Sequence, residues 1–132
     1  CNAYFGWETL EYLNTGLGFA AEPHHPAVKA MLKMYESLVA NGKYMYEKMQ
    51  GCPQLNTLAL VSLGLKQDGT KQSVCDAIIL PSDYMCPFHD ATGKMNETEN
   101  TFSIHWFSKS PHGKWAAWKM NFTRPLHRWF LK

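Results

Sequence analysis

The stretch PHHPAVKAMLKMYESLVANG, residues 23–42, decides the fold class because it is the clearest helical pattern in the chain. Pro26 suits the first helical position, where its missing backbone N–H leaves no bond unmade, and Asn41 with Gly42 predicts the end. Apolar residues recur here at three- and four-residue spacing and form one predicted stripe: Val28, Met31, Leu32, Tyr35, Leu38 and Val39. We therefore predict an amphipathic helix.

Strand-like segments lie on both sides of this helix. Residues 2–8, NAYFGWE, contain aromatic β-formers, and residues 73–81, SVCDAIILP, predict a strand that Pro81 ends. Residues 15–22 predict a second extended run, in which two glycines mark a bulge or a close approach. A second helix is predicted in residues 53–65 and ends near Gly64. Together these segments predict a mixed α/β domain rather than an all-β sandwich.

The segment TFSIHWF, residues 101–107, alternates between two kinds of side chain. Such alternation predicts a strand with two distinct faces. One face carries Phe102, Ile104 and Trp106, and the other carries Ser103, His105 and Phe107. An imidazole in the middle of a strand, beside a serine, is placed to reach a phosphate or to complete a metal site. His105 is therefore a candidate site residue.

Composition excludes several classes of protein. The net charge is +2, yet all 11 acidic residues precede residue 104, whereas six of the 13 basic residues follow it. This division argues against a uniformly basic DNA-binding domain. No apolar run approaches the ~20 residues that a membrane span needs. The four cysteines include no C-x-x-C pair, which argues against a zinc cluster.

The last segment, PHGKWAAWKMNFTRPLHRWFLK, residues 111–132, is basic and aromatic. Trp115, Trp118, Phe122 and Trp129 recur near helical spacing, with lysines and arginines between them. Three interpretations fit this pattern. It is a helix that packs its aromatic face inward, a helix that lies on an anionic membrane surface, or a stacking surface for single-stranded nucleic acid. The acidic remainder of the chain disfavours the third, and we predict no nucleic-acid partner.

Three ordered stretches resemble one protein family. They are NTGLGFAAEPHHPAVKAML (residues 14–32), CPQLNTLALVSLGL (residues 52–65) and ILPSDYMCPFHDATGKMNETENTFSIHWFSKS (residues 79–110). They resemble the C-terminal part of the DXD-containing glycosyltransferases that build bacterial capsule and lipooligosaccharide, a family related to fungal Golgi mannosyltransferases. The resemblance covers roughly residues 5–110. It implies a catalytic-domain portion over residues 1–110, followed by a basic aromatic helix over residues 111–132.

The resemblance implies a GT-A fold with a mixed sheet flanked by helices, a nucleotide-sugar donor, and a glycan or lipid-linked acceptor. It also implies Mn²⁺ or Mg²⁺, which neutralises the leaving diphosphate. The chain contains no DXD motif. We therefore expect that it is the C-terminal portion of a longer enzyme, inactive alone, with an exposed strand edge and apolar surface through which it self-associates. The expected location is cytoplasmic, with peripheral contact at the inner membrane through residues 111–132.

Family positions on the acceptor side are matched by Asn14, Thr15 and Gly16. An amide offers a donor and an acceptor to sugar hydroxyls, and glycine lets a ligand approach the backbone. The alternative is a tight turn in which Asn14 bonds its own backbone. Glu22 matches a polar family position that holds a hydroxyl. Gln54 and Thr57, after the Cys-Pro pair, either face the acceptor or lie on a helix surface.

On the diphosphate side, His105 matches the first position of a two-histidine family motif, and Trp106 replaces the second. The resemblance assigns His105 to the metal or the diphosphate and Ser108 to the diphosphate. Pro111 stands where the family has a tryptophan. The indole contact to the leaving group that the family has is therefore not expected here.

Overall fold

A computed structural model describes residues 1–40 and 51–107. The strands are β1 (Ala3–Gly6), β2 (Ala20–Ala21), β3 (Gln72–Val74), β4 (Ala77–Leu80), β5 (Phe88–His89) and β6 (Lys94–Met95). The helices are α1 (Pro26–Ala40), α2 (Cys52–Val61) and the short α3 (Ser82–Met85), and a 3₁₀ turn covers Thr15–Leu17. The predicted helix over residues 111–132 lies outside the described residues. No helix in the described ranges is long and apolar enough to cross a membrane.

A four-stranded sheet in the order β2-β1-β4-β3 organises the fold. The two central strands, β1 and β4, are parallel and pair from Ala3 with Ala77 to Gly6 with Leu80. Both outer strands run antiparallel to their neighbours. The sheet is therefore mixed, and the helices α1 and α2 lie in the chain between its two central strands. The predicted mixed α/β class with a mixed sheet is confirmed.

Residues 72–80 form a β-hairpin, so the prediction of one strand over residues 73–81 is wrong. β3 and β4 pair antiparallel around Cys75 and Asp76, which both have positive φ, 47° and 64°. A two-residue hairpin loop needs this conformation, and the usual sign of it is an Asn-Gly or Asp-Gly pair. Cys75-Asp76 carries no such sign. The backbone N–H of Asn2 donates to the Asp76 carbonyl at 3.3 Å, which joins the loop to the start of β1.

Helix α1 begins at Pro26, as predicted, and the predicted stripe is confirmed in part, since Met31 is buried and Val28 is partly buried against the core. The buried line contains Ala27 and Met31, with Met34 partly buried against the core. Leu32 and Val39 are 57% and 59% exposed. The helix packs against α2 along Ala27, Met31 and Met34, at positions i, i+4 and i+7, and Leu32 and Val39 lie outside this line.

The core forms on one face of the sheet, where alternate strand residues point inward. It contains Ala3, Phe5 and Trp7 from β1 and the residue after it, and Ala77 and Ile79 from β4. Burying each of the larger side chains contributes about 1.5–3 kcal/mol. Trp7 is fully buried, and its Nε1–H donates to the Thr70 carbonyl at 2.9 Å, so its one polar group is satisfied.

The opposite face of the sheet is also apolar and is only half-buried. Tyr4, Ile78 and Leu80 border a cavity of about 300 Å³ together with Cys1 and Phe102. Phe102 is 60% exposed. An apolar sheet face of this kind is what the predicted self-association requires. Self-association itself stays a prediction.

Residues 15–22 differ in part from the predicted extended run. Thr15–Leu17 form a 3₁₀ turn, and only Ala20–Ala21 form a strand. Gly18 between them has φ +107°, a conformation that L side chains rarely adopt, and a Cβ there would lie 3.3 Å from Met85 Cε. This glycine therefore marks a change of direction against a buried side chain.

Candidate functional site

The candidate site lies at the carboxyl end of the central parallel strands β1 and β4. After β1 the chain reverses direction, so that Trp7 and Leu13 form an antiparallel bridge. The backbone N–H groups of Glu8 and Thr9 both donate to the Tyr12 carbonyl, at 2.9 Å and 3.1 Å. This reversal, residues 8–12, is called the β1 turn below. It places Glu8, which is half-buried, directly beyond the end of β1.

Asn14 is held by hydrogen bonds at both ends of its side chain. Its Oδ1 accepts from the Gly16 N–H at 2.7 Å and caps the 3₁₀ turn, and its Nδ2 donates to Glu8 Oε2. A Cβ at Gly16 would lie 3.0 Å from Asn14 Oδ1, so the glycine leaves room for this cap. The interpretation that Asn14 bonds its own backbone is therefore confirmed. The amide retains a second N–H and a second oxygen lone pair, so sugar binding there stays a prediction.

Thr15 connects the 3₁₀ turn to the start of α2. Its Oγ1 accepts from Asn56 Nδ2 at 3.0 Å and lies 3.4 Å from Cys52 Sγ. Asn56 is 2% exposed and also reaches the same sulfur, at 3.1 Å. The three side chains fix the position of the turn relative to α2. A ligand role of Thr15 stays a prediction.

Thr57 does not face solvent, so neither interpretation offered for it is correct. It is fully buried, and its Oγ1 donates to the Pro53 carbonyl at 2.7 Å and accepts from the Leu13 N–H at 3.0 Å. The hydroxyl satisfies a backbone group that no strand partner reaches. Through its hydrogen bond with the Leu13 N–H, buried Thr57 therefore holds the segment that carries Asn14 in place.

Beside the β1 turn lies a cleft of about 540 Å³. It is lined by Glu8, Thr9, Leu10, Glu11 and Tyr12 of the turn and by Ser82, Cys86, Pro87, Phe88, His89 and Asn96. Within the described part of the chain the lining thus contains two carboxylates and one imidazole, and neither lysine nor arginine. Burial, and secondly the charge of Glu8, raise the pKa of the Cys86 thiol to about 12. Cys86 is therefore a protonated, unreactive part of the wall near neutral pH.

Residues 101–107 form no strand, so the strand prediction for them is wrong. The segment instead crosses α3, where the N–H groups of Phe102 and Ser103 donate to the Tyr84 carbonyl at 3.1 Å and 3.4 Å. Its aromatic side chains pack on loop residues. Trp106 lies 5.3 Å from Phe88, measured between ring centroids. The residues of this segment thus contact α3 and β5 and do not pair with a neighbouring strand.

His105 is half-exposed, and its ring meets the Phe107 ring edge to face at 4.5 Å. No group of three or more His, Cys, Asp or Glu side chains that could hold a metal occurs within residues 1–40 and 51–107. His105 therefore has no companion ligand set in this part of the chain. The described residues do not form the site for Mn²⁺ or Mg²⁺ that the resemblance implies.

The other predicted residues do not gather at the cleft. Glu22 is exposed and donates its backbone N–H to the Asn2 carbonyl at 2.8 Å, at the amino end of β1. Asn14 lies beside Gly6 at the carboxyl end, roughly 13 Å away along the strand. The structure therefore separates Glu22 from Asn14, Thr15 and Gly16. Ser108 lies outside the described residues.

The prediction from sequence missed Glu8 and Phe88. Glu8 is the last residue of the strand-like segment 2–8, and Phe88 lies in no strand or helix predicted from the sequence. Glu8 directly follows β1, and polar residues after the strands of a parallel pair lie where open α/β sheets bind ligands, but only the structure shows that β1 is paired in parallel. For Phe88 the sequence offers no comparable signal.

A comparison of the chain with protein-family models, curated proteins and solved structures finds no match in any of the three.

Proposed function

We propose that this chain is part of a GT-A glycosyltransferase, which transfers a sugar from a nucleotide-sugar to a glycan or glycolipid acceptor in surface polysaccharide synthesis. The observation that carries the proposal is the Glu8–Asn14 pair at the carboxyl end of the parallel strands β1 and β4. Open α/β sheets bind their ligands outside the carboxyl ends of the strands. The proposal that the ligand is a sugar comes from the motifs that resemble the glycosyltransferases.

The chemistry of this edge suits a sugar. A carboxylate accepts hydrogen bonds from hydroxyls, and an amide both accepts and donates them. Both groups are held in place, Asn14 by its cap on Gly16 and Glu8 by Asn14. A preorganised pair binds a polyol with less loss of side-chain entropy than two free side chains. The proposal therefore assigns acceptor-side recognition to this edge and leaves His105 and Ser108 as proposed diphosphate contacts.

The requirement for Mn²⁺ or Mg²⁺ belongs to the proposal for the complete enzyme. A divalent cation would neutralise the leaving diphosphate. Its ligands are proposed to come from a DXD motif, which this chain does not contain. The chain alone is accordingly expected to lack turnover.

The direct test is an assay of the protein that contains this chain together with its natural upstream sequence. Nucleoside diphosphate release is measured from a panel of UDP-, GDP- and ADP-sugars with Mn²⁺, with and without EDTA, and with lipid-linked or free glycans as acceptors. We expect release from at least one donor, abolished by EDTA, and none from residues 1–132 alone. Absence of release from every donor would overturn the proposal.

A second candidate function is a non-catalytic module that binds a carbohydrate or a membrane surface. It is favoured by Trp106, which is 60% exposed and lies against Phe88 at the rim of the cleft. Exposed aromatic rings beside polar groups are typical of surfaces that bind the apolar faces of sugars. A module would bind glycans without consuming a nucleotide-sugar, so the same assay separates the two functions.

Peripheral membrane contact through residues 111–132 is part of the first proposal, at the cytoplasmic face of the inner membrane. Its basis is the basic and aromatic composition of that segment. Sedimentation with anionic vesicles at low and high salt tests it, with neutral vesicles as the control. We expect binding that salt weakens, and no sedimentation at low salt would contradict it.

A further inference from the structure

We infer that the cleft between the β1 turn and the β5–β6 hairpin binds the neutral acceptor sugar, with Glu8 as its hydroxyl-binding carboxylate and Phe88 as its apolar platform. The identification of this sugar as the acceptor rests on the proposed transferase function. That the cleft binds a sugar is argued from the geometry of the cleft. A volume of about 540 Å³ falls in the range of small-molecule sites in proteins.

The charge of the lining selects the ligand class. Glu8 and Glu11 are acidic, and among residues 1–40 and 51–107 the cleft is lined by no lysine or arginine and by one histidine, His89. A nucleotide diphosphate would bring negative charges towards these two carboxylates, and like charges at close range repel. A neutral sugar instead donates its hydroxyl protons to them. The cleft therefore fits the acceptor and not the diphosphate of the donor.

The contact with Asn14 prepares Glu8 for this task. One carboxylate oxygen, Oε2, accepts from Asn14 Nδ2, which fixes the orientation of the group at the end of β1. A carboxylate has about four lone-pair positions, so acceptor capacity remains for a ligand hydroxyl. Because the side chain is already ordered, binding costs less conformational entropy than it would at a free glutamate.

The aromatic side of the cleft supplies the apolar contact. Phe88 is half-buried and lines the cleft, and the Trp106 ring lies against it with an interplanar angle of 44°. The C–H face of a pyranose is apolar, and it loses contact with water when it packs on an aromatic ring. The hydrophobic wall continues into Pro87 and the protonated thiol of Cys86. A carboxylate and an aromatic ring in the same cleft contact a sugar at two chemically different edges.

The experiment uses the complete protein and measures sugar binding and turnover separately. Binding of free glucose, galactose, mannose, N-acetylglucosamine and lactose is titrated by ligand-observed NMR. The variants are Glu8→Gln, which keeps an acceptor for Asn14, and Phe88→Leu. Their matched controls are Glu36→Gln, exposed on α1, and Phe102→Leu, exposed on the opposite sheet face. Unfolding midpoints of all four verify that the fold is retained.

We expect at least one sugar to bind, with affinity at least tenfold weaker in Glu8→Gln and Phe88→Leu and within twofold of the original in both controls. In the transfer assay, Glu8→Gln raises the KM for the acceptor and leaves the affinity for the nucleotide-sugar unchanged. If no sugar binds, or if Glu8→Gln and Phe88→Leu bind as the original does, the inference is overturned even where turnover is seen. Sugar binding that Glu8→Gln weakens, without any turnover, upholds the cleft as a sugar site and overturns the transferase function instead.

Discussion

Asn14 and Glu8 contact each other through their side chains at the carboxyl end of β1, six residues apart along the chain. The contact closes the β1 turn, because Asn14 also donates its backbone N–H to the Gly6 carbonyl at 3.1 Å. Asn14 therefore holds the turn through its backbone N–H, and the 3₁₀ cap and the Glu8 carboxylate through its side-chain amide. A change of charge at residue 14 is therefore expected to change the stability of the folded site.

Replacing Asn14 by aspartate tests this link. The Asn14→Asp variant keeps an oxygen for the Gly16 N–H but sets a second carboxylate against Glu8, and the two negative charges repel each other once both groups are ionised. Stability is then lost as pH rises above about 4, and the free energy of unfolding at pH 7 falls by about 1–2 kcal/mol. Urea unfolding between pH 3 and pH 7 measures this loss. Asn14→Ser, which adds no charge, is the control, and equal pH dependence in the two variants would contradict the prediction.

The buried hydroxyl of Thr57 is expected to be essential for stability. In Thr57→Val the Leu13 N–H, which now donates to Oγ1 at 3.0 Å, is left buried without a partner. An unsatisfied buried donor costs about 1–3 kcal/mol. Thr57→Ser keeps the hydroxyl and provides the matched control, losing only a methyl group. Urea denaturation of both variants decides the point, and a Thr57→Val protein as stable as Thr57→Ser would show that the hydroxyl contributes nothing.

Gly18 and Gly64 form a matched pair for separating backbone strain from steric contact. Their φ angles are +107° and +103°, but a Cβ meets Met85 Cε at 3.3 Å only at Gly18, and nothing within 4 Å at Gly64. Alanine at either position is expected to cost about 1–3 kcal/mol from the backbone alone. Gly18→Ala should cost more than Gly64→Ala because Met85 must also shift. Thermal unfolding of the two variants measures the difference, and the reverse order would disprove the contact.

Cys86 is expected to resist alkylation while the other cysteines react. Cys1, Cys52 and Cys75 are exposed, whereas Cys86 is buried and its pKa is raised from 9.0 to about 12. A brief treatment with iodoacetamide at pH 8 should therefore label three thiols, as counted by mass spectrometry, and urea should expose the fourth. Because the folded pKa exceeds the unfolded one, stability is present below pH 9 and is lost as pH rises towards 12. Labelling of Cys86 at the rate of Cys75 would contradict its burial.

Self-association through the apolar sheet face is expected to depend on Phe102. This side chain is 60% exposed beside Tyr4, Ile78 and Leu80. Phe102→Glu places a charge on the surface and should shift the protein towards monomer by analytical ultracentrifugation at high concentration. Leu32→Glu introduces the same charge at an exposed position on α1 and serves as the control. A clean monomer before any substitution would rule out association through this face.

The local elements could be predicted from the sequence because their causes lie within a few residues. Pro26 sets the start of α1 through its fixed φ and missing N–H, and the aromatic residues of β1 favour an extended backbone wherever the strand pairs. The mixed α/β class follows from the order of such segments. The hydrogen bond between Asn14 Oδ1 and the Gly16 N–H could also be predicted, because the two residues are close together in the chain.

The site could be predicted only in part, because it depends on contacts that the sequence pattern does not contain. Asn14 was predicted as a site residue, but Glu8 and Phe88 come together from positions 80 residues apart. The strand prediction for residues 101–107 failed for the same reason. Alternation shows that two faces differ, yet a strand also needs a partner with free backbone groups, and here Tyr84 supplies the acceptor instead.

The sequence by itself determined which segments are helical or extended and that the chain is α/β, since propensity and periodicity act over one or two turns of backbone. Only the tertiary structure decided that β1 pairs in parallel with β4, that Cys75 and Asp76 form a hairpin loop, and that Glu8 faces a cleft with Phe88. Pairing and burial are properties of residues distant in the chain. Their free energy arises only when the sheet and helices exclude water together.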